Sequence, residues 1–494
     1  MKIAIAVQHD LTKPNISSND WLIKPELEKL GMEVDVIDWR DSQVDLNKYD
    51  SIFVSSVWNA ADYYTEFLAW IHSCEKNGKK LINDKELLLL GVHKDTYLGL
   101  LKEQFGDQDA PAGSITPSVF IKPGDEFQSL ALMQRDLALK DKIWQGELVI
   151  KPIVSAEGRD TYLITDKPEL LRGSDNKYTS FKDAESIVQQ LLKKDGTRGL
   201  IVQPFMHSVE TNGEYQLMFF ENQFSHAIVK AKGFGNRVAS AKKAVSEAEL
   251  PSGMLDFAQR IMQFYSTKFP HGVTRARLDF FVGEKGAVLC EAEVVDPHAN
   301  IRRFSAEQKK SIISRYAQAL LKRTVELKIE AFLGKDAQQY FTLLKNPDLL
   351  KTVIKIAETN QNIMSYLATS GAKQKHDLAM NYSPNYIKDC LNALNAFSDR
   401  NYQNKDLLIT ELNHAKDKYT QTVLGKDRSS ISLAVRLLLM TVVNFVAGLT
   451  FGLVHYNHYK STGVIGFFTE TNSASQLRKN HQELNQELEQ SFSL

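Results

Sequence analysis

The residue types best suited to chemistry in this chain are one lysine and, far downstream, three carboxylates. Lys151 ends the apolar run 148–150 and is followed by a loop of small residues. An ammonium group at the end of a buried strand needs an anionic partner, because burying an unpaired charge is costly. A phosphate would meet that need, since the small residues Ser155 and Gly158 let backbone amides approach its oxygens. The pattern indicates a phosphate site; the alternative is a surface lysine at a strand end.

The three carboxylates belong to two consecutive strand patterns. Asp279 lies in the apolar pattern 278–282, and Glu291 and Glu293 lie in the next, where their spacing of two residues places them on one face. The turn 283–286 pairs the strands and brings Asp279 toward Glu291. Carboxylates on one face repel unless a cation lies among them, and such oxygen ligands suit Mg²⁺ or Mn²⁺. The alternative is the solvated outer face of a hairpin.

Two arginines precede Asp279 at the same spacing. Arg277 lies two residues before it, and Arg275 lies two residues before Arg277, so both share its face. An arginine beside a metal–phosphate centre can stabilise charge that develops on a transferred phosphate. Arg277 and Lys151 are therefore the predicted catalytic residues, although the spacing does not separate Arg277 from Arg275.

The composition excludes several classes of protein. The chain has 494 residues and equal numbers of basic and acidic residues, 60 of each. That length predicts two to four domains, and zero net charge gives no long-range attraction to nucleic acid. Three cysteines without zinc-like spacing, and an N-terminus without a signal-peptide pattern, predict a reduced, cytoplasmic location.

The pattern of strands and helices changes twice along the chain. Residues 1–90 alternate strands with helices, which predicts an α/β domain with a parallel sheet, and no dinucleotide-binding glycine fingerprint follows the first strand. Residues 91–325 read as α+β, with antiparallel pairs and a tight turn at 220–224. Residues 326–494 read as an all-helical extension.

One segment of the helical extension is strongly apolar. Residues 437–454 are 18 residues without a charge, which is the lower limit for a membrane span. Gly448 and Gly452 have the spacing of a helix-packing motif. A buried helix of a bundle and a membrane-associated segment are both open interpretations. The polar stretch 473–490 is expected to be an exposed helix, with a coiled-coil arm as an alternative.

Residues 1–325 resemble ATP-grasp enzymes, in particular the group of glutathione synthetase, D-alanine ligase and ribosomal-protein glutamate ligase. The resemblance rests on motifs in a fixed order: His93-Lys94-Asp95, Lys151-Pro152, the loop 155–161, the hinge 202–206, Gly213-Glu214-Tyr215, the strand 225–230, Arg277-x-Asp279 and Glu291-x-Glu293. It implies an ATP-grasp fold that binds ATP with Mg²⁺ or Mn²⁺.

The resemblance also implies a role for each matching residue. The implied nucleotide-binding residues are Lys94, Lys151, Ser155, Gly158, Gln203, Phe205, Met206, Glu210, Glu214 and Lys230. Glu210 and Glu214 are rivals for the ribose hydroxyls. The implied metal ligands are Asp279, Glu291 and Glu293, where the family usually has asparagine at the position of Glu293. The extra carboxylate makes the site more negative.

The reaction implied by the resemblance joins a carboxylate to an amine through an acyl phosphate, on a small-molecule or peptide substrate. A phosphotransferase on the same fold and a non-catalytic nucleotide-binding scaffold are the alternatives. The extension resembles, in style only, appendages of secreted effectors of intracellular bacteria, which implies action near a host membrane. Trp58 and Asp62 follow the third strand, where α/β folds bind ligands; a substrate contact and an aromatic cap on the core are both open. The sequence does not identify the substrates or the oligomeric state.

Overall fold

The computed structural model describes residues 1–8, 19–76, 80–106, 111–125, 130, 133, 146–156, 158–167, 178–194, 198–230, 242–269, 271–399, 405–425, 432 and 434–445. The chain divides into two compact units, Met1–Thr324 and Val325–Leu494. The first unit combines α/β and α+β architecture, and the described part of the second is helical, so the predicted fold class is confirmed. The further division of the first unit at residue 90 stays a prediction.

The first unit begins with a parallel sheet. Its strands are β1 (Lys2–Val7), β2 (Glu33–Asp38), β3 (Ser51–Val54) and β4 (Lys80–Ile82), in the order β2-β1-β3-β4. The helices that follow these strands are α1 (Lys24–Lys29), α2 (Tyr64–Lys76), α3 (Lys85–Val92) and α4 (Lys94–Phe105). All four side chains of β3 are buried. A one-turn 3₁₀ helix, Trp58–Ala61, follows at the carboxyl end of β3.

Two further sheets complete the first unit. Their strands are β5 (Ser114–Ile115), β6 (Val119–Ile121), β7 (Leu148–Pro152), β8 (Tyr162–Ile164), β9 (Tyr178–Thr179), β10 (Leu200–Pro204), β11 (Glu214–Phe220), β12 (Gln223–Lys230), β13 (Lys242–Val245), β14 (Arg275–Val282) and β15 (Ala287–Glu293). The five-stranded sheet has the order β6-β10-β7-β8-β9, and the six-stranded sheet has the order β13-β12-β11-β14-β15-β5. The helices α5 (Phe181–Lys193), α6 (Ser208–Thr211) and α7 (Met254–Lys268) lie between these strands in sequence.

The largest core of the first unit lies between α7 and the six-stranded sheet. Phe257, Ile261 and Tyr265 of α7 are buried in one apolar cluster with Leu278 and Phe280 of β14. These residues recur every three or four positions on the helix and every second position on the strand, so each element has one apolar face. The opposite face of β14 carries the polar residues Arg275, Arg277 and Asp279 at alternate positions.

The predicted turn between β11 and β12 is confirmed. Phe220 pairs with Gln223, and the two residues between them have positive φ angles, 51° at Glu221 and 63° at Asn222. Two consecutive residues in this region are typical of a tight hairpin turn whose twist matches that of its strands. The turn sets the register of the two strands, which carry Glu214 and Lys230 at their far ends.

Several short elements of the first unit lie outside the sequence patterns. The helix α1 begins only after a short 3₁₀ helix, Asn19–Leu22, because Pro25 fits only the first turn of an α-helix. The strands β4, β5, β9 and β13 were not predicted. Each has two to four residues, which is too short for an alternating pattern to stand out.

The second unit is helical throughout its described part. The long helix α8 (Ala306–Leu333) contains the boundary between the units, and α9 (Pro347–Thr369), α10 (Lys373–Asp399) and α11 (Lys405–Tyr419) follow. The rings of Tyr386 and Tyr419 are 5.2 Å apart in its core. Among the described residues, no helix is long and apolar enough to cross a membrane. The segment 437–454 is described only to residue 445, and the stretch 473–490 lies outside the described residues.

Candidate active site

The predicted carboxylates lie on one face of the hairpin formed by β14 and β15. In the antiparallel register, Arg277 is opposite Glu293 and Asp279 is opposite Glu291. The strand spacing of two residues therefore brings all four side chains together. The register shifts after Asp279, where one extra residue, Cys290, enters β15 between the partners of Asp279 and Phe280. Such a bulge turns nearby side chains and is common beside functional sites.

Arg277 holds two of the three carboxylates. Its Nε and Nη2 atoms donate to the two oxygens of Asp279 at 2.7 and 2.8 Å, and Nη2 lies 2.7 Å from Oε2 of Glu293. Arg277 is 8% exposed and Asp279 only 1%. A buried charge pair of this kind is retained only where hydrogen bonds satisfy both partners.

The second arginine has a different role. Arg275 is 1% exposed, and its guanidinium donates to Tyr316 Oη at 2.6 Å and to the carbonyl of Val54 at 3.2 Å. It also lies 4.6 Å above the ring of Phe53. These contacts join β14 to the end of β3 and to α8. These contacts give Arg275 a structural role, whereas Arg277 is the arginine that lies against the carboxylates, and its catalytic role stays a prediction.

Asn83 fixes the start of the same hairpin. Its Nδ2 donates to the carbonyls of Arg275 and Val294 at 2.8 and 2.6 Å, and its Oδ1 accepts the amide of Thr274 at 2.9 Å. One buried side chain thus satisfies backbone groups of both β14 and β15, which would otherwise cost free energy. This role of Asn83 was not predicted from the sequence.

Lys94 connects the small-residue loop to the carboxylates. It is the first residue of α4, and its ammonium donates to the carbonyl of Ser155 at 2.8 Å and lies 3.2 Å from Glu291. Its 9% exposure shows that it is not a surface lysine. The loop that follows β7 therefore lies directly against the acidic face of the hairpin.

The basic groups act unequally on the two glutamates. Burial alone would raise the pKa of Glu291, but Lys94, Lys151 and Arg277 outweigh it and lower the pKa to about 2. Burial raises the pKa of Glu293 to about 8 against the attraction of Arg277, because Asp296 and Glu291 add to the negative potential there. Glu291 is thus the more firmly ionised of the two carboxylates.

A glutamine that was not predicted links Asp279 to Glu214 of β11 and Lys230 of β12, which are predicted to bind the nucleotide. Gln216 Nε2 donates to Asp279 Oδ2 and to Glu214 Oε1, both at 3.0 Å. Lys230 in turn donates to Glu214 at 3.3 Å, and the charge of Glu214 raises the pKa of Lys230. Gln216 carries no charge and belongs to no short motif, so only the strand register reveals it.

Lys242 is the second residue that was not predicted. It lies opposite Lys230 in the pairing of β12 with β13 and donates to Asn300 Oδ1 at 3.0 Å. Burial, together with Arg277 and Lys230, lowers its pKa to about 8. An anionic ligand bound nearby would stabilise the charged form of Lys242, because it would offset the repulsion from the other cations. The sequence indicates only that Lys242 and its neighbour Lys243 would point to opposite faces of a short strand.

The predicted adenine hinge lies at the end of β10. The Gln203 side chain donates to Ser118 Oγ at 2.9 Å, and the Phe205 amide donates to the carbonyl of Glu147 at 2.9 Å. The Met206 carbonyl accepts the amide of Val209 at 2.9 Å. Glu210 is exposed and lies 3.1 Å from His207. The structure places these residues in one segment, where their polar groups form hydrogen bonds or ion pairs with other protein groups. Their contacts with a nucleotide stay a prediction.

The loop after β7 and the carboxylates border a common cleft of about 60 Å³. Gly158 in this loop has a φ of 66°, a backbone region that favours glycine. The polar and charged residues around the cleft include Lys94, Ser155, Glu291, Glu293 and Asp296, and the aromatic residues include Trp58, Phe67 and Tyr97. Trp58 therefore faces the cleft, and its ring lies 6.0 Å from that of His298.

The carboxylates fit a magnesium ion only together with an additional oxygen ligand. Within the described ranges, no three acidic, histidine or cysteine side chains converge as a complete metal site. Asp279 and Glu291 nevertheless face each other as register partners. Mg²⁺ is usually held by one or two carboxylates together with waters and substrate phosphates, and this donor set meets that description.

Comparisons with known proteins agree on one group of enzymes. Residues 3–83 match the family model for the N-terminal domain of D-cycloserine synthetase DcsG. The cycloserine biosynthesis protein DcsG of Streptomyces lavendulae is 28% identical over 216 residues, which are 43% of this chain and 62% of that protein. This match therefore spans less than two thirds of the relative.

One solved structure shows the same architecture, and a second shows a more distant likeness. The crystal structure of D-cycloserine synthetase DcsG aligns with a TM-score of 0.53 and 21% identity over 66% of this chain and 100% of its own. A D-alanine–D-alanine ligase from Bacillus anthracis, complexed with ATP, aligns with a TM-score of 0.42 and 12% identity over 67% and 99% of the two chains. The chain therefore has the fold of the D-cycloserine synthetase structure, which is the ATP-grasp fold that the sequence resemblance implied.

Proposed function

We propose that this protein is an ATP-dependent ligase that joins a carboxylate to an amine through an acyl phosphate. The observation that carries the proposal is the position of Lys94, which links the small-residue loop at Ser155 to Glu291. Glu291 in turn faces the Arg277–Asp279 pair across the hairpin. Phosphate-binding, metal-binding and charge-stabilising groups thus share one face. The relationship to a protein named D-cycloserine synthetase supports the same class of reaction.

In the proposed reaction the chain positions its substrates and neutralises their charge. A substrate carboxylate takes the γ-phosphate of ATP, and an amine then attacks the acyl carbon and releases phosphate. Lys94 and Lys151 hold the triphosphate, while Arg277 stabilises the charge that develops on the transferred phosphate and the tetrahedral carbon. No protein nucleophile takes part.

The metal ligands in this proposal are Asp279, Glu291 and Glu293. These residues would hold Mg²⁺, which would supply positive charge to neutralise the phosphate oxygens. Asp279 is oriented by Arg277 and Gln216, and Glu291 by Lys94. Basic groups already pair with each of the three carboxylates, so their negative charges are partly balanced before nucleotide and metal bind.

Phosphate release from ATP in a mixture of amino acids and short peptides tests the proposal. We expect Lys94→Met and Lys151→Met each to lower turnover by at least about 100-fold, because each removes a phosphate-binding cation. Lys182→Met, at an exposed position in α5, is the matched control. Unchanged turnover in the Lys151 variant would reject that assignment.

Identification of the product separates the ligase from other reactions. We expect ADP, phosphate and a new amide in equal amounts, from a small-molecule or peptide substrate. A stable phosphorylated product would indicate a phosphotransferase, and nucleotide binding without turnover would indicate a scaffold. The predicted cytoplasmic location, and the alternative of an effector that acts near a host membrane, stay predictions.

A further inference from the structure

The loop after β7 contacts the turn after β3 through one arginine. Arg159 donates from Nη2 to the carbonyl of Trp58 at 2.9 Å and forms an ion pair with Asp62. Its Nε donates to the carbonyl of Ala156 in its own loop at 3.4 Å. The guanidinium thus joins three acceptors from two segments that are about one hundred residues apart in sequence.

Both segments contribute residues to the cleft of the candidate site. Ser155 and Ala156, just before Arg159, lie beside Lys94 on the side predicted to hold phosphates. Trp58 lines the same cleft. The contact between the Arg159 guanidinium and the Trp58 carbonyl therefore joins two segments that line one cleft.

The strength of this contact comes from its geometry rather than from its charge alone. The side chains of Arg159 and Asp62 are 41% and 51% exposed, so solvent weakens the ion pair by itself. The additional hydrogen bond from the charged guanidinium to a carbonyl strengthens the contact. A planar guanidinium makes these contacts from different nitrogen atoms in a fixed geometry, whereas a lysine has a single nitrogen.

A second arginine reaches the same segment. The guanidinium of Arg198, just before β10, lies 4.5 Å above the ring of Tyr64 and donates to Thr65 Oγ1 at 3.2 Å. Two arginines from the five-stranded sheet region therefore hold residues 58–65. The neighbouring pair Lys194–Asp160 joins only residues within that region and does not reach the turn.

We propose that Arg159 is a positioning residue that clamps the phosphate-side loop onto the Trp58–Asp62 turn and so keeps water from the acyl phosphate until the amine arrives. This inference rests on the proposed ligase function. Without the clamp, water attacks the acyl carbon, phosphate leaves and the carboxylate is regenerated, so that ATP is hydrolysed without amide formation. The clamp thus determines how ATP consumption is divided between amide and hydrolysis.

Amide hydrogen exchange in the full-length protein without nucleotide tests the clamp independently of catalysis. The amides of Ala60, Asp62 and Tyr63 are hydrogen-bonded within the turn, so their exchange reports its opening. We expect Arg159→Ala to accelerate this exchange by about tenfold, because it removes a charged hydrogen bond. Lys194→Ala, which removes a nearby surface charge, should have no effect. Equal exchange in Arg159→Ala and the unmodified protein would overturn the clamp.

Exchanging the charges of Arg159 and Asp62 distinguishes a direct contact between them from a general loss of local structure. We expect Asp62→Ala to accelerate exchange as well, and Arg159→Asp combined with Asp62→Arg to slow it relative to either single reversal, since the ion pair is restored. An additive effect of the two reversals would contradict a direct interaction.

Phosphate release with Mg²⁺-ATP, with and without an amino-acid mixture, tests the role in catalysis. We expect Arg159→Ala to keep ATP consumption but to lower the amide formed per phosphate released by about tenfold, as exclusion of water is lost. A parallel fall in both quantities would overturn the positioning role. If the unmodified protein releases no phosphate and forms no amide, the ligase proposal fails, while the exchange experiment still decides whether Arg159 clamps the turn.

Discussion

The guanidinium of Arg277 makes two hydrogen bonds to the carboxylate of Asp279, two residues further along the same strand. The same guanidinium lies 2.7 Å from Glu293 on the neighbouring strand. One cation therefore pairs with both the buried carboxylate of Asp279 and the half-buried carboxylate of Glu293. A bound phosphate and metal can share these partners, because the arginine attracts the phosphate and the carboxylates attract the metal.

We expect Arg277→Lys to lower turnover by about 100-fold, because a lysine cannot reproduce the paired hydrogen bonds and provides a differently shaped charge. The measurement is the rate of ADP formation, with the thermal unfolding temperature recorded in parallel. Turnover within about twofold of that of the unmodified protein would contradict the catalytic role of Arg277.

Arg275→Met should instead act on stability. The change leaves Tyr316 and the carbonyl of Val54 without their buried donor, so we expect the free energy of unfolding to fall by about 3 kcal/mol or more. Denaturant unfolding measures this loss. A variant that is as stable as the unmodified protein but inactive would show that Arg275, and not Arg277 alone, serves the chemistry.

Lys242→Met and Lys243→Met form a matched pair of adjacent changes on one strand. The side chain of Lys243 is 75% exposed, whereas Lys242 faces Lys230 and Arg277. If Lys242 contacts transferred phosphate, its loss should lower turnover by about tenfold or more, because an anion-stabilising cation is removed. Lys243→Met should leave the rate of ADP formation unchanged. Equal rates for both variants would exclude Lys242 from the site.

His226 should make stability depend on pH in mildly acidic solution. Burial lowers the pKa of His226 to about 4 from its ordinary 6.5, and the charge of Arg315 adds to this shift. The ring is held by the carbonyl of Ala299 at 2.6 Å and by Ser225 Oγ at 2.9 Å. Between these two pKa values the unfolded chain binds a proton that the folded chain does not. The free energy of unfolding should therefore fall as the pH falls from 6.5 toward 4, by up to about 1.4 kcal/mol per pH unit from this group.

The comparison with His226→Gln isolates that contribution. Glutamine keeps a donor for the carbonyl of Ala299 but has no proton to gain. The stability difference between the unmodified protein and the variant, measured by denaturant unfolding at several pH values, should change across this window and be constant above it. A constant difference throughout would show that His226 is not the responsible group.

The acidic face of the hairpin β14–β15 could be predicted because it follows from the spacing of residues that are close in sequence. Asp279 alternates with apolar residues, Glu291 and Glu293 are two residues apart, and a glycine-bounded turn lies between the strands. Such spacing places side chains on one face whatever the rest of the fold. The roles of Arg275 and Arg277 could not be separated in this way, since both obey the same spacing. Only the packing of β3 and α8 against Arg275 shows that it is a structural residue.

The residues that sequence analysis missed depend on contacts between distant segments. Gln216 reaches Asp279 across two paired strands, Lys242 reaches Asn300, and Arg159 reaches Asp62 from ninety-seven residues away. The sequence around each of these polar residues does not show which distant residue its side chain contacts. The sequence by itself determined the alternation of strands and helices and the acidic face, because these follow from periodicities of two and 3.6 residues. Tertiary structure alone decided which polar side chains meet, because burial and long-range register select their partners.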